Sequence, residues 1–134
     1  MIRRKNLVEK FSTFLEFDDT KDSLNQGWYC SPQLHQKMSQ RYQKDPTARE
    51  EYWAKIILRE ALENLHLSRE HLAAYLEEVA YWTVHKICKE FAQYQLRYVD
   101  CFLIAREGTS QPVKLFNRYD FKQSQVKYFA KYPL

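Results

Sequence analysis

Glycine and proline are scarce in this chain, which has 2 glycines and 4 prolines among its 134 residues. Tight turns depend on these residues, because glycine adopts positive φ values freely and proline fixes its own φ. Sandwiches and barrels need many such turns, so the composition argues against both. The length is typical of one domain with a single core. We therefore predict an all-α protein, a compact helical bundle of about five to seven helices with an irregular basic C-terminal segment.

Apolar residues recur at steps of three and four along most of the chain, which is the pattern of helices with one buried face. Ser31, Asp45 and Ser68 are candidate N-caps, because their side-chain oxygens can accept hydrogen bonds from the free amides of a first helical turn. No strand pair joined by a two-residue turn is indicated. The predicted helices span residues 6–17, 31–42, 45–65 and 68–94, followed by one near Val99 that Gly108 ends and by short pieces after Pro112 and Ser124.

The positive charge is concentrated at one end of the chain. The net charge is +4, yet residues 1–105 hold 15 basic and 15 acidic side chains. Residues 106–134 hold 6 basic and 2 acidic ones, together with several tyrosines and phenylalanines. Lysine and arginine neutralise phosphates, and aromatic rings stack on unpaired bases. The C-terminal segment is therefore a candidate nucleic-acid contact or, alternatively, an ordinary solvated surface.

No membrane-spanning or disulfide-stabilised architecture is indicated. No uninterrupted apolar run is longer than five residues, the length of the run 101–105, whereas a bilayer span needs about 20. The cysteines Cys30, Cys88 and Cys101 are odd in number and contain no CxxC pair, which argues against a disulfide framework and a zinc site. We expect a cytoplasmic protein that does not bind membranes.

Motifs of catalytic sites are missing from the sequence, which contains no GxSxG, no Walker-type loop and no HExxH. His85 and Cys88 lie one helical turn apart, but a structural zinc site needs two further ligands. His66 and His71 flank a predicted helix start, where either is a candidate for a solvated cap residue, and the Glu77–Glu78 pair is expected to form a solvated helix face. We predict no catalytic residues, no metal, no cofactor, no small-molecule substrate and no enzyme activity.

The order of residues in the second half is more informative than the composition. Residues 100–105 are DCFLIA, Phe116 and Asn117 follow sixteen residues after Asp100, and Ser124 precedes residues 127–130, KYFA. This arrangement resembles the part of bacterial RNA polymerase sigma factors that binds the core enzyme and opens the promoter. Two stretches of the first half resemble the N-terminal part of sigma-like proteins of cyanobacteria, namely residues 11–17 and 71–82.

The resemblance implies a role for each half of a single helical domain, 1–134. Residues 1–96 would form an N-terminal helical bundle, and residues 97–134 an incomplete core-binding and promoter-melting segment. The residues implied to bind the clamp region of core RNA polymerase are Asp100, Leu103, Ile104, Glu107 and Asn117. The residues implied to contact promoter DNA are Lys122, Lys127, Tyr128, Phe129, Lys131 and Tyr132.

Some features depart from the family's pattern. Leu103 and Ile104 stand where many sigma factors have polar residues, and Pro112 falls in a helix that the family usually continues. The chain stops at Leu134, before the helix that reads the promoter's upstream element, so we expect a fragment or a stand-alone module.

Three hypotheses follow from these observations. The first is a sigma-factor-like transcription protein that binds core RNA polymerase and contacts promoter DNA without sequence specificity. The second is a degenerate sigma-like protein-interaction module that does not bind DNA. The third is an enzyme or a cofactor-binding helical bundle.

Overall fold

The computed structural model describes residues 3–24, 27–109, 111, 116, 119–122 and 124–131, except for the side chains of residues 128, 129 and 131. The protein is mostly helical, which confirms the predicted class. Two short strands, β1 (Thr13–Leu15) and β2 (Trp28–Cys30), pair antiparallel. The α-helices in the described part of the chain that are used below are α1 (Leu7–Lys10), α2 (Pro32–Lys44), α3 (Glu50–Leu62), α4 (His66–Tyr75), α5 (Glu77–Glu90), α6 (Tyr98–Thr109) and α7 (Val126–Lys131).

The helix predicted over residues 6–17 is wrong beyond its first turn. α1 ends at Lys10, and β1 follows it, with Phe14 paired opposite Tyr29 of β2. At the end of α1 the Ser12 hydroxyl donates a hydrogen bond to the Val8 carbonyl at 2.7 Å. Hydroxyl side chains of this kind compete with the helical hydrogen-bond ladder, and β-branched residues such as Thr13 favour strands. The apolar spacing alone did not indicate the partner strand.

The N-cap predicted at Ser31 is confirmed, but the one at Asp45 is not. The Ser31 hydroxyl accepts a long hydrogen bond from the Leu34 amide at 3.5 Å at the start of α2. Asp45 instead closes the end of α2, where its own amide donates to the Tyr42 carbonyl at 3.1 Å. α3 begins at Glu50, five residues later than predicted.

The helix predicted over residues 68–94 is divided in two at Leu76. Ser68 is no N-cap, because it lies inside α4, where its buried hydroxyl donates to Glu60 Oε1 at 2.6 Å. The Arg4 guanidinium donates to the carbonyls of Ala74 at 2.9 Å and Tyr75 at 3.3 Å, next to the division. A side chain that takes up helical carbonyls in this way breaks the ladder between successive turns. Arg4, 70 positions before Ala74, therefore binds the last carbonyls of α4 at the division.

Two hydrophobic clusters form the core. In the first, which surrounds α3 and α4, the rings of Phe11 and Tyr75 are stacked with their centroids 4.4 Å apart. The second lies between α5 and α6 and contains Val84 and Phe102. Both clusters combine residues from before and after position 96. Among the described residues, no helix is both long and apolar enough to cross a membrane.

Candidate functional site

The start of α6 is fixed by a loop residue from the first quarter of the chain. Asp22 has a left-handed φ of 49° and closes the 3₁₀ turn Asp19–Lys21. Its carboxylate accepts hydrogen bonds from the amides of Tyr98 at 3.0 Å and Val99 at 2.8 Å. A carboxylate at this position satisfies free amides of the first turn and interacts favourably with the helix dipole.

The inner face of α6 is held by burial and by an ion pair. Val99 and Phe102 are fully buried in the second cluster. Arg106 places its Nε 2.7 Å from Glu77 Oε1 of α5, donates to the Leu15 carbonyl at 3.0 Å and lies over the Phe102 ring at 4.7 Å. These contacts fix which face of α6 points outward.

The outer face of α6 carries four of the residues that the resemblance implicates. Asp100, Leu103, Ile104 and Glu107 follow the spacing i, i+3, i+4 and i+7, so they lie along one side of the helix. Leu103 is 43% exposed and Ile104 is 72% exposed. The Asp100 carboxylate is also exposed, 3.7 Å from Arg97 of the preceding turn. We call these four residues the α6 stripe.

A groove of about 480 Å³ runs beside the α6 stripe. Leu103 and Glu107 form one wall, and Phe14, Leu34 and Ala73 contribute to the rest of its lining. The groove therefore extends the exposed apolar surface from α6 toward α2 and α4.

The residues predicted to contact DNA differ from the α6 stripe in their exposure and in their ion pairs. Lys122 is exposed. Lys127 is only 31% exposed, and its Nζ lies 3.7 Å from carboxylate oxygens of both Glu50 and Glu78 and 4.9 Å from the centre of the Tyr75 ring. Glu50 and Glu78 therefore offset part of the charge of Lys127, and they share it with Lys10 and Arg4, which pair with the same carboxylates. The side chains of Tyr128, Phe129 and Lys131, and residues Asn117 and Tyr132, lie outside the described part of the chain, as does the helix predicted after Pro112.

The cap predicted at Ser124 is replaced by a partner on α3. α7 begins at Val126, whose amide donates to Glu51 Oε1 at 2.9 Å. The hydroxyl of Tyr119 donates to the Ser124 carbonyl and reaches the same Glu51 oxygen at 3.4 Å. The described C-terminal residues are therefore attached to the acidic first turn of α3.

The prediction that Glu77 and Glu78 form a solvated helix face is wrong. Glu77 is 1% exposed and pairs with Arg106, while Glu78 pairs with the buried Arg4 at 3.0 Å. Burial raises the pKa of Glu77, and the nearby Arg106 opposes that rise. Buried charges require such partners, because desolvation of an isolated ion is costly. The sequence offered no signal for this network, since Arg4 and Glu78 are 74 positions apart.

The histidines divide into buried and exposed ones. His71 is buried, with its Nδ1 2.7 Å from the Phe11 carbonyl oxygen, so the prediction of a solvated residue is wrong. Burial lowers the pKa of His71. His66 is exposed, as predicted, and lies 3.4 Å from Glu70. Among the described residues, no three His, Cys, Asp or Glu side chains are grouped in a way that would hold a metal ion.

The cysteines are free thiols in three different environments. Cys30 is exposed, Cys101 is half-buried and Cys88 is buried. Burial and the neighbouring Cys101 raise the pKa of the Cys88 thiol to about 11. Because the thiolate is the nucleophilic form, a thiol with this pKa is unreactive near neutral pH.

Fold and site together define a mostly helical protein with an exposed, partly apolar helix face. No protein-family model matches the chain, and no curated protein or solved structure matches it. Its function is therefore inferred from its own residues and geometry.

Proposed function

We propose that this chain is a sigma-factor-like transcription protein that binds core RNA polymerase through the α6 stripe. One observation carries the proposal. Asp100, Leu103, Ile104 and Glu107, which the resemblance implicates in polymerase binding, lie together on the exposed face of a helix whose opposite face is fixed. The cytoplasm, where core RNA polymerase acts, is part of the same proposal.

The chemistry of the α6 stripe suits a protein partner. Leu103 and Ile104 are large apolar side chains that water surrounds in the free protein, so covering them is favourable. Asp100 and Glu107 flank them, which favours a partner with basic side chains around an apolar centre. Interfaces commonly place a desolvated apolar centre inside a polar rim.

Nonspecific contact with promoter DNA is the second half of the proposal. The exposed Lys122 is available to phosphate, whereas Lys127 would have to leave Glu50 and Glu78 first. The pairing of Lys127 with these carboxylates also favours the alternative function, a sigma-like interaction module that does not bind DNA. The two are distinguished by whether the protein binds a promoter duplex with an affinity that falls steeply with salt.

The polymerase half is tested by capture of purified core RNA polymerase on the immobilised chain. Asp100→Ala and the double variant Leu103→Ala/Ile104→Ala should each weaken capture about tenfold or more, as truncations at the centre of an interface do. All three residues are exposed, so neither variant removes a core contact.

Matched controls lie on other faces of the molecule. Glu90→Ala removes an exposed carboxylate of α5, and Tyr52→Ala removes an exposed apolar side chain of α3. Both should capture polymerase as the unmodified chain does. Equal capture by the α6 variants and the controls would contradict the proposal.

A further inference from the structure

The outer face of α5 carries an exposed tryptophan beside basic side chains. Trp82, His85, Lys86 and Lys89 follow the spacing i, i+3, i+4 and i+7, which places them on one side of the helix. Trp82 is 42% exposed, and the other three are exposed as well. The Arg3 guanidinium lies 6.0 Å from the centre of the Trp82 ring. We call these five residues the α5 face.

The acidic groups near the α5 face do not cancel its charge. Glu90 lies 3.9 Å from Lys86, and both side chains are more than half exposed, so the pair is weak and a phosphate can replace it. Glu78, one turn before Trp82, is already paired with Arg4 at 3.0 Å. Among the described residues, Lys89 has no carboxylate within ion-pair distance. The α5 face therefore presents three cations, from Arg3, Lys86 and Lys89, against one weakly held carboxylate.

The rings around Trp82 fix its orientation without stacking on it. The Tyr81 ring lies 5.0 Å away at 83°, and the His85 ring 6.0 Å away at 87°. Both are therefore nearly perpendicular to the indole. Parallel stacking on an aromatic side chain is the contact that unpaired bases make with proteins, and it is open to any base.

We propose that the α5 face binds single-stranded nucleic acid, with a base stacked on Trp82 and the adjoining phosphates held by Lys86, Lys89 and Arg3. The rise of an α-helix places Trp82 and Lys89 about 10 Å apart along the axis, which suits a short stretch of a few nucleotides. The site lies outside the C-terminal segment, and it is independent of polymerase binding by the α6 stripe. An acidic protein segment would also match the lysines, but it would not need the indole ring.

The test measures binding of the full chain to a fluorescein-labelled oligothymidylate of 20 nucleotides, the 20-mer. Fluorescence anisotropy gives the affinity over a range of salt concentrations. Trp82→Ala should weaken binding about tenfold or more, because stacking on aromatic side chains contributes strongly to each base contact. Lys86→Gln/Lys89→Gln should reduce the slope of log K against log salt by about 1.4, since each phosphate contact to a single strand contributes about 0.7.

Controls separate this site from the overall charge and from a loss of folding. Lys37→Gln/Lys44→Gln removes two exposed lysines of α2 and should bind the 20-mer as the unmodified chain does. Tyr52→Ala removes an exposed ring of α3 and should do the same. Trp82→Phe should keep most of the affinity, because phenylalanine still stacks, yet lose the quenching of tryptophan emission by the 20-mer.

Several results would overturn the proposal. Failure of the chain to bind the 20-mer is one such result, and binding by Trp82→Ala as tight as that of the unmodified chain is another. An equal loss of affinity in the α2 and α5 lysine variants would show that binding depends on the overall charge of the protein and not on the α5 face. Binding of labelled polyglutamate as tight as that of the 20-mer would favour an acidic protein segment. Capture of polymerase by the α6 stripe is measured in a separate experiment without nucleic acid. Failure of that capture would therefore not contradict the proposal that the α5 face binds single-stranded nucleic acid.

Discussion

Two polar side chains, Arg4 and His71, are buried in the interior, where they contact backbone carbonyls. Arg4 is 5% exposed and donates hydrogen bonds to the carbonyls of Lys10, Thr13, Ala74 and Tyr75, besides its ion pair. His71 similarly contacts the Phe11 carbonyl. Buried carbonyls need such donors, because an unsatisfied polar group inside a protein costs free energy. At the scale of single residues, these side chains link α1 to α4.

The burial of His71 predicts a dependence of stability on pH. Burial lowers its pKa in the folded protein, while the unfolded chain keeps a value of about 6.5. Below pH 6.5 the unfolded state therefore binds a proton that the folded state does not. The free energy of unfolding should fall by up to about 1.4 kcal/mol per pH unit, from pH 6.5 down to the lowered folded pKa.

Urea unfolding between pH 7.5 and 5.5 measures this dependence across the range where an ordinary histidine titrates. His71→Gln should flatten the fall, whereas His66→Gln, at an exposed position, should leave it unchanged. An equal slope in the unmodified chain and the His71 variant would show that another group is responsible.

At the scale of elements, α7 depends on α3 for its start. Its first amide, that of Val126, donates to Glu51 Oε1, an oxygen that also lies 3.4 Å from the Tyr119 hydroxyl. The neighbouring Glu50 lies 3.7 Å from Lys127. The first turn of α3 therefore attaches the C-terminal helix to the bundle.

Removal of this carboxylate should loosen α7. We predict that Glu51→Ala speeds hydrogen exchange at the Val126 amide by about tenfold or more, because hydrogen bonds to charged groups contribute about 1.5–3 kcal/mol. Amide exchange followed by NMR measures the effect. Glu63→Ala, an exposed position at the end of α3, serves as the control and should leave Val126 unchanged. Unaltered exchange in the Glu51 variant would mean that packing alone holds α7.

At the scale of the whole molecule, the two hydrophobic clusters are joined through the consecutive helices α4 and α5. Leu76, at the junction, is buried in the first cluster, and Ala80, one turn later, is buried in the second. Arg106 and Glu77 add an ion pair between α5 and α6. We therefore expect the clusters to unfold together.

A substitution in the second cluster tests this coupling. Phe102→Ala should lower the free energy of unfolding by about 3–5 kcal/mol, as large truncations in a core do. Its circular dichroism and tryptophan fluorescence transitions should still coincide in single steps, since Trp53 belongs to the first cluster and Trp28 packs against the second. Phe91→Ala, where the ring is 45% exposed, should change stability far less. Separate transitions would contradict cooperative unfolding.

The candidate site was partly predictable. The spacing of Asp100, Leu103, Ile104 and Glu107 is local, so the sequence alone places them on one helix face. Their exposure depends on what α6 packs against, and the structure supplies this with Val99 and Phe102 on the opposite side. The pairing of Lys127 was not predictable, because its carboxylate partners lie on α3 and α5.

Local pattern was enough to predict the helical class and the start of α2 at Ser31, because helix periodicity and capping act within a few residues. Tertiary contacts set the β1–β2 pair, the division at Leu76 and the pairing of buried charges. These features depend on groups distant in sequence: Arg4 and Glu78 are 74 positions apart, and Arg106 and Glu77 are 29 apart. The local sequence pattern shows which side chains lie on the same face of a helix. Whether those side chains are buried or form ion pairs depends on the elements that pack against that face.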